Sequence, residues 1–315
     1  MRESLRNDIK VLVKHQRNNT RANYIKTFII GLGLCLAIAN ILYINGKFTV
    51  PVPHIALINI EGAIERGSST GDGLIISNAI KLAMDDDLVK AVIIEANSPG
   101  GSPVQAEQLH RTIMSMRHSN SKPIYVSIGE ICASACLYIV SAADKVFAHK
   151  SSLIGSIGVR MDGWGFDKIL SHLDIERRTY SAGEFKALLD PFQPRDPEVD
   201  NHLDTFVLSP LYQDFVGAIK EGRGDKLDQQ NPLLFTGLIW TGMTAKDLGL
   251  VDDIKTHYQV RESLKTHFDV EMIQTYTKSS FDLKKLIMAE FWADVIAKAL
   301  IKLDVNAATP IMRLE

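Results

Sequence analysis

Apolar runs of strand length alternate with amphipathic segments of helix length from about residue 54 onward. The candidate strands are Ile55–Ile60, Ala91–Ala96, Ile124–Ile128 and Val146–Ala148. Their β-branched runs lack polar alternation, which is typical of strands covered on both faces of a parallel sheet. Helical spacing predicts intervening helices near Leu74–Met84, Val104–Met116 and Ala133–Ala142. This order of elements predicts an α/β fold with right-handed crossovers.

The second half of the chain is predicted to be more helical. Its candidate helices are Phe166–Leu173, Pro197–Glu221 and Ala245–Leu248. A further apolar stripe at helical spacing runs through Phe281–Leu303, where lysines and acidic residues balance. We expect this stripe to pack against a partner helix or a neighbouring subunit rather than lie on a membrane surface.

The region before residue 54 has the pattern of a membrane anchor. Thr27–Ile44 is a stretch of eighteen uncharged residues, long enough to cross a bilayer core of roughly 30 Å. The preceding 26 residues hold seven basic and two acidic side chains, a net charge of +5, which favours the cytoplasmic side. A cleaved signal peptide is the alternative, since Ala37-Ile38-Ala39 resembles a cleavage site. Either way the body is exported.

These patterns divide the chain into five parts. The predicted parts are a basic cytoplasmic leader at 1–26, a transmembrane helix at 27–44, a linker at 45–53, an α/β domain at 54–260 and a helical tail at 261–315.

Composition narrows the classes of function. A hydrophobic content of 46% with 23% charged residues indicates a globular body, and a net charge of −2 argues against nucleic-acid binding. The three cysteines fit no zinc spacing, and no HExxH motif or phosphate-binding loop is present. Cys132 and Cys136 are expected to be buried thiols, with a local bridge as the alternative.

Two turns that follow candidate strands carry possible catalytic groups. Asn97-Ser98-Pro99-Gly100-Gly101 is either a simple strand-to-helix turn or a loop whose Gly101 N–H stabilises an oxyanion. Ser134 lies among small residues where a helix is expected to begin. It is therefore either an N-terminal helix cap or a filler in tight packing, or else a nucleophile near the positive end of the helix dipole.

A lysine and a second serine complete the candidate chemistry. Lys186 follows Tyr180-Ser181-Ala182-Gly183-Glu184-Phe185 after a short stretch of strand character. A lysine is ordinarily a solvated surface charge, but burial lowers its pKa and allows the neutral amine to act as a base. Ser156, within Gly155-Ser156-Ile157-Gly158-Val159, offers a hydroxyl that could orient that amine.

Together these motifs resemble the signal peptide peptidase A family of Ser–Lys membrane proteases, peptidase family S49, in its short form. The SPGG, ASAC, GSIGV and SAGEFK motifs occur in the family's order, and the resemblance covers about residues 54–255. It implies Ser134 as nucleophile, Lys186 as general base and Ser156 as the residue that orients the lysine. It also implies that Gly101, with Gly100, forms the oxyanion hole, and that no metal or cofactor is needed.

The resemblance further implies a fold, a location and a substrate. The fold is the ClpP/crotonase spiral of ββα units, usually assembled as a ring-like homo-oligomer. The activity is endopeptidase cleavage of extended peptides, such as remnant signal peptides, by a single-pass protein of the cytoplasmic membrane. The catalytic domain then faces the extracytoplasmic side.

One departure and three alternatives accompany the resemblance. Gly237-Leu238 stands where the family usually has Gly-Arg, so an ion pair of that arginine is absent. A Ser-His-Asp hydrolase would need a histidine such as His110 or His149 beside Ser134, and no GxSxG motif is present. A crotonase-like acyl-CoA enzyme would need neither Lys186 nor an anchor. An inert scaffold of the same fold would present its surface to membrane partners.

Overall fold

The structure is a computed structural model that describes residues 23–40, 51–119 and 122–277. It divides into two compact units, one before and one after the boundary between Val52 and Pro53. The first unit contains helix α1, Asn23–Asn40, whose 18 residues are long and apolar enough to cross a membrane. The predicted span began at Thr27, and its last residues, 41–44, lie outside the described residues.

The second unit is built on a sheet of eight strands. The main path is β6-β5-β3-β2-β1-β8, and β3 also pairs with β4, which pairs with β7. All pairings are parallel except that of β5 with β6. The strands are β1 His54–Glu61, β2 Val89–Ser98, β3 Ile124–Ala133, β4 Lys145–Ala148, β5 Leu153–Gly155, β6 Ile239–Thr241, β7 Asp253–Ile254 and β8 Met272–Thr275.

The described residues of this unit form eight α-helices. They are α2 Gly73–Asp85, α3 Pro103–Ser119, α4 Ala135–Val140, α5 Asp167–His172, α6 Pro197–Leu203, α7 Ser209–Arg223, α8 Gly242–Asp247 and α9 His257–Phe268. A π-helical turn, Asp204–Leu208, joins α6 to α7, so the predicted helix Pro197–Glu221 forms as two helices with a wider turn between them.

The central strands are largely apolar because both faces of the sheet are covered. Ala56, Ile58 and Ile60 of β1 belong to the larger core, with apolar residues of α2, α3, α4 and α7. Ile55 and Leu57 belong to a smaller core with residues of α9. The absence of polar alternation in the sequence therefore predicted this burial correctly.

Two predicted boundaries change in the structure. Strand β3 extends to Ala133, and α4 begins only at Ala135, which leaves Ser134 as the single residue between them. The predicted domain end at residue 260 falls inside α9, and β8 pairs with β1 beyond it. The described chain is thus part of the sheet unit as far as β8, and the apolar stripe at 281–303 lies outside the described residues.

Candidate active site

Ser134 lies in a sharp turn where strand β3 passes directly into helix α4. Its backbone has φ +53° and ψ −124°, a conformation that side chains other than glycine rarely adopt. The side chain caps no backbone N–H of the helix and is half-buried. The sequence-based alternative of a helix cap is therefore wrong. A hydroxyl held in a strained turn and partly open to solvent has the setting of a nucleophile.

The glycine pair lies against this turn. A Cβ added to Gly100 would stand 2.8 Å from the Ser134 Cβ, so the close approach requires glycine. The Gly100 N–H donates to Ser98 Oγ over 3.1 Å, whereas the Gly101 N–H has no acceptor in the described part of the chain. The Gly101 N–H is thus available to a ligand beside Ser134, and that of Gly100 is already used.

Gly101 is fixed in place by the segment that follows β1. The Ile64 N–H donates to the Gly100 carbonyl over 2.9 Å, and the Ser102 N–H donates to the Ile64 carbonyl over 2.8 Å. A Cβ on Gly101 would come within 2.1 Å of that carbonyl oxygen. These two hydrogen bonds leave the Gly101 N–H as the unpaired donor between them.

Ser156 is brought to the same turn by strand pairing. Ala133 is in register with Gly155, and the Ser134 N–H donates to the Gly155 carbonyl over 2.9 Å. Ser156 itself is half-buried with φ +54°, and its N–H donates to the Leu238 carbonyl over 2.7 Å. Leu238, at the position where the sequence departs from the family pattern, therefore supports Ser156 through its backbone.

Lys186 is separate from these three elements. It lies in an irregular turn, and no strand forms across residues 174–181, contrary to the expected strand character. The lysine and its neighbour Phe185 are both exposed in the single chain, which is the ordinary setting of a lysine and not the burial that a neutral amine would need. No hydrogen bond or ion pair joins its side chain to Ser134 or Ser156 among the described residues.

The turn that carries Lys186 is nevertheless anchored at its end. Arg177 forms an ion pair with Asp190, whose side chain is only 5% exposed. The guanidinium of Arg177 also lies 4.8 Å from the centre of the Phe192 ring. The Phe166 N–H also donates to the Pro191 carbonyl over 2.6 Å. The sequence analysis did not identify these contacts, because nothing in local spacing pairs Arg177 with Asp190.

Cys132 and Cys136 form a disulfide, with 5.1 Å between their Cα atoms. The expectation of two buried thiols is therefore wrong, and the alternative of a local bridge is correct. Both residues are fully buried, one at the end of β3 and the other in the first turn of α4. The bridge spans Ser134 from two residues before it to two residues after it.

The Ser–His pair that the structure contains does not involve Ser134. Ser127 Oγ lies 2.7 Å from His257 Nδ1, and Glu95 lies 4.0 Å from the same nitrogen. Ser127 is fully buried, so its hydroxyl cannot meet a substrate. Among the described residues no histidine is hydrogen-bonded to Ser134, which weighs against the Ser-His-Asp alternative.

His257 and His149 line a cavity of about 760 Å³, and Ser134 is not among its lining residues. Burial lowers the pKa of His257, with a smaller opposing effect from Glu95.

Within the described residues no group of three or more histidine, cysteine or acidic side chains could hold a metal ion. The structure thus provides a hydroxyl at Ser134 and, in the neighbouring glycine turn, a backbone N–H of Gly101 without an acceptor among the described residues.

Comparison with known proteins gives one family profile and several similar proteins. The profile of peptidase family S49 matches residues 116–271, which include Ser134, Ser156 and Lys186. The chain is 31% identical over 186 residues to a protein of Enterococcus faecium provisionally named signal peptide peptidase SppA, covering 59% of this chain and 53% of that protein. It is 32% identical over 207 residues to protease 4 of Haemophilus influenzae, covering 64% of this chain and 33% of that protein.

A third relative carries a different name. The chain is 37% identical over 212 residues to a Na(+)/H(+) antiporter NhaA of Brucella melitensis, covering 66% of this chain and 28% of that protein. The chain thus spans between about a quarter and just over half of the length of these three relatives. The antiporter name describes a much longer protein, of which this chain matches 28%.

Proposed function

Because the chain belongs to peptidase family S49, we propose that it is a membrane-anchored serine endopeptidase with Ser134 as nucleophile and Lys186 as general base. The observation that carries the proposal is the convergence of three chain segments at one turn. Gly100 lies against Ser134, and the Gly155 carbonyl accepts the Ser134 N–H. The match of the family profile to residues 116–271, which include Ser134 and Lys186, supports the proposal as well.

The proposed reaction is acyl transfer from a peptide bond to the Ser134 hydroxyl. The oxygen attacks the scissile carbonyl while its proton passes to the Lys186 amine. The Gly101 N–H and the N–H of Ala135, the residue after the nucleophile, then donate to the oxygen that becomes negative. Ala135 is the first residue of α4, so its N–H has no acceptor within the helix. The C–N bond then breaks, and the amine product leaves with the proton that Lys186 had accepted. Water afterwards hydrolyses the acyl–Ser134 ester, and Lys186 relays its proton so that the Ser134 hydroxyl is regenerated.

Lys186 must be neutral to accept that proton, and a free lysine has a pKa of about 10.4. Desolvation is the effect that would lower the pKa, yet Lys186 is exposed in the single chain. Large apolar side chains nearby are exposed as well, including Trp164, Tyr180 and Leu189. We propose that a second copy of the chain covers this segment, desolvates Lys186 and brings a lysine to a Ser134 hydroxyl.

The remaining parts of the proposal concern fold, anchor and substrate. The parallel sheet with helices on both faces supports a ClpP/crotonase-like spiral of ββα units. Helix α1 and the basic leader support a single-pass anchor with the body on the extracytoplasmic side. A disulfide is itself typical of an oxidising compartment. Extended peptides near the membrane, such as remnant signal peptides, are the proposed substrates.

The experiment uses a fluorophosphonate, which reacts covalently with activated serines, on the full chain in detergent micelles. Wild type should be labelled at Ser134 and should cleave peptides, and Ser134→Ala should lose both properties while keeping its thermal unfolding temperature. Ser151→Ala, at an exposed serine, is the matched control and should behave as wild type. A Ser134→Ala protein that still cleaves peptides excludes the proposal.

The anchor has a separate test. A reporter that is active only in the cytoplasm, fused after Leu303, should remain inactive in cells. An active fusion would place the body on the cytoplasmic side and contradict the proposed topology.

A further inference from the structure

The Cys132–Cys136 disulfide brackets the proposed nucleophile. Cys132 is the second-last residue of β3, and Cys136 is the second residue of α4. Only Ala133, Ser134 and Ala135 lie between them. The bridge therefore joins the strand to the helix across the turn that presents the Ser134 hydroxyl.

The turn itself is unfavourable and needs support. A residue other than glycine at φ +53° and ψ −124° costs on the order of 1–3 kcal/mol, and such a conformation persists only when its surroundings hold it. Helix α4 has only six residues, so its own backbone hydrogen bonds supply little support. The closed loop is also short, and a short loop stabilises a whole fold less than a long one. The effect of the bridge is therefore expected to be local.

The bridge also holds the groups around the hydroxyl. Cys132 pairs with Ile154 in the sheet, next to the pairing of Ala133 with Gly155. On its other side Cys132 pairs with Ser98, whose hydroxyl accepts a hydrogen bond from the Gly100 N–H. A shift of Cys136 relative to Cys132 would thus move Ala135 and Ser134 against both Gly100 and Gly155.

We propose that the Cys132–Cys136 disulfide is a positioning cross-link for Ser134, so that full peptidase activity requires oxidation of this cysteine pair. This inference rests on the proposed function of Ser134. The bridge forms by exchange with an external disulfide. That disulfide takes up two electrons and two protons from the two cysteine thiols and is released as two separate thiols. Both sulfurs are buried in the folded protein, so oxidation accompanies folding and the finished bridge is shielded from small thiols.

The test compares the double variant Cys132→Ala, Cys136→Ala with wild type, as full chains in detergent. The readouts are kcat and KM on a fluorogenic peptide, the rate of fluorophosphonate labelling, and the thermal unfolding temperature. A misplacement of about 1 Å lowers turnover by up to about 100-fold. We therefore expect kcat and labelling to fall about 10- to 100-fold, while KM stays within about twofold. The unfolding temperature should change little.

Two control variants separate the bridge from general effects. Cys35→Ala removes the cysteine of α1, which is not part of the bridge, and should leave kcat unchanged. Ile139→Val removes one buried methyl from α4 without touching the bridge, and reports the effect of looser packing alone. A double alanine variant whose kcat stays within about threefold of wild type overturns the proposal.

A second measurement keeps the proposal testable if the double variant does not fold. Wild type is unfolded with a reductant and refolded either under reducing conditions or in a glutathione redox mixture, and its free thiols are counted. The reduced protein should have the lower kcat, and equal values would overturn the proposal. A reduced chain that cannot refold overturns it as well, because the bridge would then support the whole fold. Failure of oxidised wild type to be labelled at Ser134 would instead refute the proposed function.

Discussion

The backbone N–H of Ser134 donates to the carbonyl of Gly155 over 2.9 Å. This hydrogen bond continues the pairing of β3 with β5 for one residue past the end of β3, into the turn before α4. It fixes the position of the Ser134 backbone relative to Ser156, the residue that follows the acceptor. The relative position of the two serines is therefore set by sheet register rather than by flexible loops.

Gly101→Ala is expected to lower kcat with little change in KM. The new Cβ would come within 2.1 Å of the Ile64 carbonyl oxygen, so the backbone carrying the proposed oxyanion donor must move. Loss of one such donor lowers turnover by about 100- to 1,000-fold. Steady-state kinetics on a peptide substrate measure the effect. Gly217→Ala is the control, because a Cβ at Gly217 meets nothing within 4 Å, and it should keep wild-type activity.

The stability of the body is expected to fall on acidification because of Asp252. Burial alone would raise the pKa of Asp252, but the hydrogen bond and charge of Arg223 hold it below its ordinary value of 3.8. The Arg223 guanidinium is fully buried and lies 2.8 Å from the carboxylate. A carboxyl whose pKa is lower in the folded state stabilises the fold above its unfolded pKa and loses that effect as pH falls through the folded pKa.

Asp252→Asn tests this pair directly. The variant leaves the buried Arg223 without its counter-charge, and breaking such pairs costs about 3–5 kcal/mol of unfolding free energy. Urea unfolding at pH 7 should show this loss. Between pH 5 and pH 3 the wild type should lose stability more steeply than the variant. Equal slopes in that range would mean that Asp252 does not have a lowered pKa.

An assembly is expected because Lys186 lies among exposed apolar side chains. Sedimentation of the full chain in detergent at micromolar concentration should give a mass of more than one copy. Leu189→Asp, at a side chain 61% exposed near Lys186, should weaken the assembly and lower activity together. Tyr258→Asp on α9, with 73% exposure, is the comparison and should do neither. A fully active monomer would contradict the proposed role of a second copy.

The sequence predicted the first half of the fold better than the second. The four predicted strands all form, since their uninterrupted apolar runs reflect burial on both faces of the sheet. Strands β5 to β8, with two to four residues each, were not predicted. The end of β3 was also missed, because Gly129 and Glu130 interrupt the apolar run while the strand continues through them.

The site was predictable in its parts but not in its arrangement. The structure brings Gly100, Ser134 and Gly155 together, and the roles of Gly101, Ser134 and Ser156 stay predictions. Spacing along the chain could not show that the Gly100 N–H is used by Ser98, or that Cys132 and Cys136 are joined. The exposure of Lys186 also has no local signal, because Phe185 and the small residues beside it are typical of a buried segment as well.

The most direct test of the account is the peptidase activity of Lys186→Arg relative to wild type, measured as kcat/KM across a range of pH. Arginine keeps the positive charge and most of the length, but its guanidinium stays protonated and cannot take the Ser134 proton. General-base catalysis contributes about 100- to 10,000-fold, so the variant should lose at least that lower factor. Wild-type activity should rise with pH as the amine loses its proton, and the variant should lack this rise. A Lys186→Arg protein that retains most of the wild-type activity would contradict the Ser134–Lys186 mechanism.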